Sequence, residues 1–461
     1  MTPCLRTPLA LRLLRLPANV AIPMQNPDTP TPTEPATPRS NRSAMMIVFL
    51  VVFIDLLGFG IILPLLPRIG KDYVNQVIPN GTWQVGMIVG LLMSSFSLMQ
   101  FLFAPIWGRL SDRIGRRPIL LMGLLASAVF YGLFGYAASL DAENQASLAL
   151  TLFFAARIGA GIAGATISTA QAVIADCTTP EKRKHGMALI GAAFGIGFTF
   201  GPLIGYLCLR IGGDDQLYTI GYAASALSAL AWILGLALLP ETRVPTAESA
   251  ARRKLLDWSA VRFALQNPAI GPVILVFFMA SLGFGAFEVT LALFLKDIFD
   301  MDANQSFLFF AYIGFTLLIA QGFLYRRLAS RLSETTFIGI GILFMLLGII
   351  LQGAIAYVKA NAPENEVRLE FLFVALTAAV VGFAFLTPSA QALVSRRTPA
   401  DRQGEILGVN QSASALARIL GPIFGVTLYE SATSHLPPFI AGAILLVLML
   451  PLLPRIGREA T

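Results

Sequence analysis

Long runs of apolar residues, separated by short polar stretches, repeat along this chain after residue 43. The first run, from Ala44 to Pro67, holds 24 residues and one charged side chain, Asp55. About 20 apolar residues in a helix suffice to cross the hydrocarbon core of a bilayer. The runs are continuously apolar, which favours helices over the alternating strands of a membrane barrel. We therefore predict an all-α membrane protein with twelve transmembrane helices, near residues 44–67, 84–107, 117–138, 147–174, 186–208, 217–239, 269–295, 305–325, 335–357, 369–394, 404–429 and 436–454.

Composition and charge agree with a membrane protein. Hydrophobic residues make up 56% of the chain and charged residues 13%, whereas soluble domains contain about 25% charged residues. The net charge of +7 could suggest nucleic acid, but the basic residues lie in short loops rather than on a folded domain. Loops after the even-numbered spans, with the C-terminal tail, carry 20 Lys and Arg, and the opposite loops carry six. The positive-inside rule therefore predicts a multi-pass protein of the cell (inner) membrane with both termini in the cytoplasm.

The residues that usually carry enzymatic or metal chemistry form no recognisable pattern. The three cysteines, Cys4, Cys177 and Cys208, and the two histidines, His185 and His435, have no metal-type spacing. There is no nucleophile–base set, and the glycine string at 159–165 lies inside a span with no strand before it. We expect no enzyme activity, no metal and no cofactor.

Short sequences recur in the two halves of the chain at nearly constant offsets. LGFG at 57–60 recurs at 282–285, AQAV at 170–173 matches AQAL at 390–393, and GPLIG at 201–205 matches GPIFG at 421–425. Paired halves of six helices, with a site between them near the bilayer midplane, are a transporter architecture. The predicted organisation is a disordered cytoplasmic tail at 1–43, an N-terminal six-helix bundle at 44–240, a cytoplasmic linker at 241–268, a C-terminal six-helix bundle at 269–454 and a cytoplasmic tail at 455–461.

Four segments carry a resemblance to a known family. GRLSDRIGRRP at 108–118, DLLGFGIILPLLP at 55–67, RIGAGIAGATISTAQAVIAD at 157–176 and GIGFTFGPLIGY at 195–206 resemble motifs of the major facilitator superfamily. The chain looks most like its twelve-span drug:proton antiporters, in the tetracycline-exporter branch, over about 44–454. The resemblance implies two pseudo-symmetric six-helix bundles that move by alternating access.

The loop between the second and third spans has two interpretations. Its arginines orient the protein in the membrane, but orientation alone does not explain the acid and glycines among them. The resemblance implies a cytoplasmic gate, in which Asp112 pairs with arginines and itself lies near the positive N-terminal end of a helix of the opposite half. The residues assigned to this gate are Gly108, Asp112, Arg113, Gly115, Arg116 and Arg117. The corresponding loop of the second half, at 322–334, lacks the Asp and should form a weaker latch.

A glycine-proline motif in the fifth span also has two interpretations. Gly197, Gly201 and Gly205 lie on one helix face, which suits ordinary helix packing in membranes. Pro202 removes a backbone hydrogen bond and bends the helix, so this face could instead seal the cavity while the halves move. Gly421 and Pro422 would be the counterparts in span eleven.

Four charged residues lie well inside predicted spans: Asp55, Arg157, Glu288 and Arg418. A charge at the bilayer centre costs about 2.5–3.5 kcal/mol on insertion scales, so it is rarely present without a role. The charges either form structural ion pairs between helices or couple transport to protons. Low dielectric favours a protonated carboxyl and a nearby guanidinium favours the ionised form, so the two acids would carry protons. We expect the pairs Asp55–Arg157 and Glu288–Arg418.

Five amides within or near spans either form interhelical hydrogen bonds or contact substrate: Gln100, Gln171, Gln391, Asn410 and Gln411. Together, these features predict a monomeric, proton-coupled antiporter that exports amphipathic organic molecules and has no nucleic-acid partner. Its expected partners are a small-molecule substrate, protons and the lipid bilayer. Two alternatives remain at this stage: a proton-linked importer or facilitator of a small metabolite, and a membrane sensor or scaffold that transports nothing.

Overall fold

The computed structural model describes residues 42–79, 81–178, 183–213, 216–242, 258–362, 368–399 and 402–457. Most of the predicted N-terminal tail, most of the predicted linker and the end of the C-terminal tail lie outside these ranges, while residues 42 and 43 of that tail belong to the first helix.

The described residues fold almost entirely into helices, which divide into two halves. The first half contains α1 (Arg42–Ile62), α2 (Leu66–Val77), α3 (Trp83–Ile114), α4 (Arg116–Ala138), α5 (Ala146–Gly164), α6 (Ile167–Asp176), α7 (Arg183–Gly212) and α8 (Tyr218–Leu238). The second half contains α9 (Trp258–Gln266), α10 (Gly271–Phe299), α11 (Ala303–Ile319), α12 (Arg326–Leu328), α13 (Glu334–Asn361), α14 (Leu369–Arg397), α15 (Gln403–Glu430), α16 (Pro437–Val447) and α17 (Leu453–Gly457). A π-helical segment, Ala320–Tyr325, joins α11 to α12.

The prediction of a twelve-span helical membrane protein is confirmed. Eleven helical segments among the described residues are long and apolar enough to cross a membrane, and the bent pair of α1 and α2 brings the number to twelve. The first predicted span ends at Pro67, but α2 continues the helix to Val77 after a bend of 44°. Pro64 lies at the break, where a residue without a backbone N–H interrupts the helical hydrogen bonds.

The end of the predicted linker is a helix that belongs to the second half. Helix α9 packs against α10 and α15. The Arg402 guanidinium lies 4.3 Å from the centre of the Phe263 ring, a favourable cation–π contact. Residues 258–266 of the predicted linker therefore form a helix that packs on the second half.

The two halves meet along two close helix pairs, α3 with α15 and α7 with α11. A Cβ atom on Gly86 would lie 2.5 Å from the carbonyl oxygen of Val426, and one on Gly90 would lie 2.7 Å from Cα of Ile423. A Cβ on Gly314 would lie 2.7 Å from the carbonyl oxygen of Phe198. Without a hydrophobic force between helices in lipid, such close backbone contact supplies the packing energy.

Replacing Gly90 should therefore destabilise the joint between the halves. We expect Gly90→Ala to cost about 1–3 kcal/mol, because the new methyl group overlaps backbone atoms that cannot rotate away. The melting temperature of the purified protein in detergent measures this loss. Gly408→Ala is the matched control in α15, since nothing lies within 4 Å of its Cβ position. Equal melting temperatures for the two variants would contradict the close-packed joint.

Candidate functional site

A cavity of about 280 Å³ lies between the two halves. Its wall is built by helices of both halves, chiefly α1, α3, α7, α10, α11 and α15, and most of it is apolar. The aromatic residues of the wall are Phe59, Phe96, Tyr131, Phe198, Phe284, Phe287, Phe310 and Phe383. Among the side chains that the structure describes, three charged residues interrupt this apolar lining: Arg157, Glu288 and Arg418.

Arg157 is held tightly by its neighbours on one side of the cavity. The side chain extends from α5 and is 3% exposed. Its Nη2 donates a hydrogen bond to the carbonyl oxygen of Met93 at 3.3 Å, and its Cζ lies 4.7 Å from the centre of the Phe96 ring and 5.8 Å from that of Phe59. The cation–π contacts of a buried guanidinium with ring faces partly offset the free energy that it loses when water is removed. Arg157 therefore serves first to join α5 to α3.

Arg418 is placed quite differently on the opposite side. Its side chain is exposed, although the residue lies in the middle of a transmembrane helix, because it opens onto the cavity. It forms no hydrogen bond and no ion pair within 4 Å with the residues that the structure describes. Its N–H donors are therefore not used in contacts with the described residues.

Glu288 shares the cavity with Arg418. It is half-buried on α10, and its carboxylate and the Arg418 guanidinium interact electrostatically without forming a direct ion pair. Close packing of α10 on α15 brings them together, because a Cβ on Gly421 would lie 3.0 Å from the carbonyl oxygen of Leu282. Both members of the predicted Glu288–Arg418 pair thus line the same cavity, without a direct ion pair between them. For the predicted Asp55–Arg157 pair, the backbone of Asp55 lies in α1, and its side chain lies outside the described part of the structure.

One of the five predicted amides lines the cavity. Gln100 does so while its Nε2 donates to the carbonyl oxygen of Gly164 at 3.2 Å, an interhelical hydrogen bond between α3 and α5. Gln171, Gln391 and Gln411 are exposed outside the cavity wall, and Asn410 is buried elsewhere in the second half. Apart from Gln100, their proposed contact with substrate has no support from their position.

The glycine face of α7 packs against two different helices. A Cβ on Gly201 would lie 2.8 Å from Gly60 of α1, whereas one on Gly205 would lie 2.5 Å from the Phe307 ring of α11. Gly197 lies against Leu56, also on α1. Pro202 and its counterpart Pro422 both line the cavity. This placement supports helix packing for the glycines and a wall position for the two prolines.

The arginine-rich loop is organised around Arg116. Its guanidinium forms ion pairs with Asp112 at 2.7 Å and Asp176 at 3.1 Å, and donates a hydrogen bond to the Ser111 hydroxyl at 2.7 Å. The predicted pairing of Asp112 with an arginine is thus present. Its approach to the opposite half stays a prediction, because the contacts described for the loop lie within the first half.

A carboxylate that the sequence had not singled out, Glu241, completes this loop. It accepts hydrogen bonds from the backbone N–H groups of Arg116 and Arg117 at 2.9 and 3.1 Å, at the positive N-terminal end of α4. Gly115 makes the turn with a φ of 105°. Of the other residues assigned to the gate, Arg113 is exposed and Gly108 has Ser168 beside it. Only the position of Glu241 just after the sixth span could have indicated its role.

Comparison with known proteins agrees with this architecture. The family model described as the Major Facilitator Superfamily matches residues 48–422, and again 315–460. The class C tetracycline resistance protein of Escherichia coli is 29% identical over 417 residues, which cover 90% of this chain and 97% of that protein. Major facilitator superfamily domain-containing protein 10 of Homo sapiens is 30% identical over 437 residues, covering 87% and 90%. The crystal structure of the human organic anion transporter MFSD10 is 26% identical, covers 90% of this chain and 100% of that chain, and superimposes with a TM-score of 0.61.

Removing the Glu241 carboxylate should loosen the start of α4. We expect Glu241→Ala to cost about 0.5–2 kcal/mol, as for the loss of other helix N-caps. Hydrogen exchange of the backbone amides at 116 and 117 should become faster in this variant. Glu143→Ala, which removes an exposed acid from the loop before α5, is the control and should leave exchange at 116 and 117 unchanged.

Proposed function

This chain belongs to the major facilitator superfamily of membrane transporters, and we propose that it exports an amphipathic organic molecule in exchange for protons. In this proposal the protein is a monomer in the cell membrane. Both of its termini lie in the cytoplasm, an orientation that the distribution of Lys and Arg favours. The observation that carries the proposal is the cavity between the halves, where charged residues of both halves interrupt an apolar wall.

The charged residues of the cavity divide into proton carriers and fixed charges. An arginine does not release its proton in a protein, so the carriers are acids: Glu288 and, by family resemblance, Asp55. When Glu288 is ionised, its carboxylate attracts the Arg418 guanidinium, and when it is protonated this attraction disappears. Loading and release of the proton therefore change the force between α10 and α15.

Proton movement provides enough energy for export. One proton that crosses a potential of 100 mV supplies about 2.3 kcal/mol. At about 1.4 kcal/mol per tenfold change, this sustains a gradient of roughly fiftyfold for a neutral substrate.

The cavity wall suits a substrate with an aromatic or apolar body. Phe284 and Phe383 stack with ring centres 3.8 Å apart, and Phe59 and Phe96 lie 4.9 Å apart. These rings offer broad apolar surfaces and few hydrogen-bonding groups. Tetracycline resistance proteins and an organic anion transporter are among the relatives, which agrees with a substrate of this kind.

The open position of Arg418 favours a second candidate, transport of an organic anion together with a proton. A guanidinium binds carboxylate or sulfonate groups through paired hydrogen bonds, and Arg418 has its donors free among the described residues. An anion bound there would favour protonation of Glu288, so anion and proton would load together. A cationic substrate that binds to ionised Glu288 would instead compete with the proton for that carboxylate. Such competition produces exchange of substrate for protons. The charge of the substrate would thus decide between exchange and co-transport.

Flux measurements in proteoliposomes test proton coupling. With an imposed pH gradient, Glu288→Gln should lose gradient-driven substrate flux by about tenfold or more, because an amide cannot carry the proton. Exchange of labelled for unlabelled substrate without a gradient should persist. Glu370→Gln, at an exposed acid at the start of α14, is the matched control and should transport like the unmodified protein. Wild-type flux that ignores the gradient, or normal pumping by Glu288→Gln, would refute the proposed coupling.

A pair of probes that differ only in charge tests the role of Arg418. Arg418→Gln should weaken transport of an aromatic carboxylate about ten- to a hundredfold, since a hydrogen bond to a charged group contributes about 1.5–3 kcal/mol. The neutral amide of the same compound should be affected much less. Arg157→Gln should lower the melting temperature without this selectivity, because Arg157 is packed between helices. Equal losses for both probes in Arg418→Gln would show that Arg418 does not bind the anion.

A further inference from the structure

Two lysine–aspartate pairs join the halves at the face of the protein opposite the arginine-rich loops, here termed the outer face. Nζ of Lys71 lies 2.9 Å from Oδ2 of Asp297, and Nζ of Lys296 lies 2.7 Å from Oδ1 of Asp72. Lys71 and Asp72 belong to α2 in the first half, and Lys296 and Asp297 to the end of α10 in the second. Each half therefore gives one cation and one carboxylate to the other.

This reciprocity follows from an internal repeat. The dipeptide Lys-Asp at 71–72 recurs at 296–297, an offset of 225. The LGFG sequences at 57–60 and 282–285 have the same offset. When two related surfaces meet about a twofold axis, residue i of one contacts residue j of the other and j contacts i. The repeated dipeptide meets its own copy in this way across the pseudo-twofold axis.

Further polar contacts strengthen one of the two bridges. Lys71 also forms an ion pair with Oε1 of Glu430, at the end of α15, at 2.8 Å. Nearby, Nη1 of Arg68 donates a hydrogen bond to the Ser306 hydroxyl at 2.8 Å. These contacts connect α2 of the first half to the outer ends of three helices of the second half, α10, α11 and α15.

The two bridges differ in their access to water. The side chains of Lys71, Asp297 and Glu430 are 16%, 19% and 12% exposed, whereas those of Lys296 and Asp72 are 33% and 53% exposed. Salt and water screen exposed charges more than shielded ones. The bridge at Lys71 is therefore the stronger, and the bridge at Lys296 lies at the rim.

We infer that the two reciprocal bridges, Lys71–Asp297 and Lys296–Asp72, form a clasp that holds the outer face closed and sets how readily it opens. Outward opening separates the halves at this face and must break both bridges. The freed charges then become hydrated, so the clasp opposes opening without preventing it. The clasp needs only that the halves separate, and it is independent of the substrate and of proton coupling.

Distance measurements between spin labels test the clasp directly. One label replaces Gln76, near the end of α2, and the other replaces Thr433, in the loop after α15. Both residues are exposed on the outer face. Pulsed electron spin resonance on the full-length protein in nanodiscs gives the fraction of molecules with a long label distance. Lys296→Asp and Asp72→Lys each place like charges together, and each should increase this fraction at least threefold. The double variant restores the bridge with its charges exchanged and should return the fraction to the wild-type value.

Two further variants separate the clasp from general damage. Glu370→Lys makes the same change of charge at an exposed acid at the start of α14, for which no contact with the clasp is described, and should leave the distances unchanged. Lys71→Gln should open the face more than Lys296→Gln, because it loses two ion pairs and leaves Asp297 and Glu430 to repel each other. If a charge-reversal variant does not fold, the neutral pair Lys296→Gln with Asp72→Asn should still increase the fraction of molecules with a long label distance, because it removes the bridge, though by less than a variant that adds repulsion.

Two results would overturn the clasp. The first is an unchanged distance distribution in the folded single variants. The second is an opening in the charge-exchanged double variant as large as in the single variants, which would show that the bridge itself is not what matters.

Discussion

A charged side chain within a hydrocarbon layer must find water, a counter-charge or a polar partner, and the structure depends on this constraint. Arg157 satisfies it by stacking on Phe96 and donating to a backbone carbonyl group. Arg418 and Glu288 satisfy it by opening onto the cavity between the halves. Around the cavity, the glycine-lined pairs of α3 with α15 and α7 with α11 keep the backbones of the two halves close, while the cavity itself lies between the other helices. The way the helices pack therefore decides which charged side chains are buried among neighbours and which reach the cavity.

The two halves share the arrangement of their helices, but the charged residues that line the cavity do not occupy equivalent positions in the two halves. Phe59 and Phe284 occupy matching positions of the repeat, as do Pro202 and Pro422, and all four line the cavity. At the same offsets, Glu288 corresponds to Leu63 and Arg418 to Phe198, which also line the cavity. The repeat thus supplies a similar apolar wall from each half, to which the second half adds Glu288 and Arg418 and the first half adds the buried Arg157. A charged ligand would meet the second half differently from the first.

The two faces of the protein use their charges for different purposes. Around Arg116, ion pairs and helix-end hydrogen bonds connect α3, α4, α6 and the segment after α8, all within the first half. At the outer face, the pairs of Lys71 and Lys296 connect one half to the other. Movement of rigid bodies requires strong contacts within each body and weaker, breakable contacts between them. This distribution of charges meets both requirements.

The sequence by itself determined the helical spans, their number and the family, because in lipid each helix satisfies its backbone hydrogen bonds within its own segment, so a local apolar run is enough to specify it. Local pattern also identified the charged residues within spans as the unusual ones. It could not distinguish Arg157 from Arg418, since both are single arginines in apolar helices, and only the packing of neighbouring helices buried one and opened the other. The partnership of Glu241 with Arg116 and the crossed pairs of Lys71 and Lys296 likewise join residues more than a hundred positions apart. Such contacts depend on how whole helices are placed in space, and only the tertiary structure decides that.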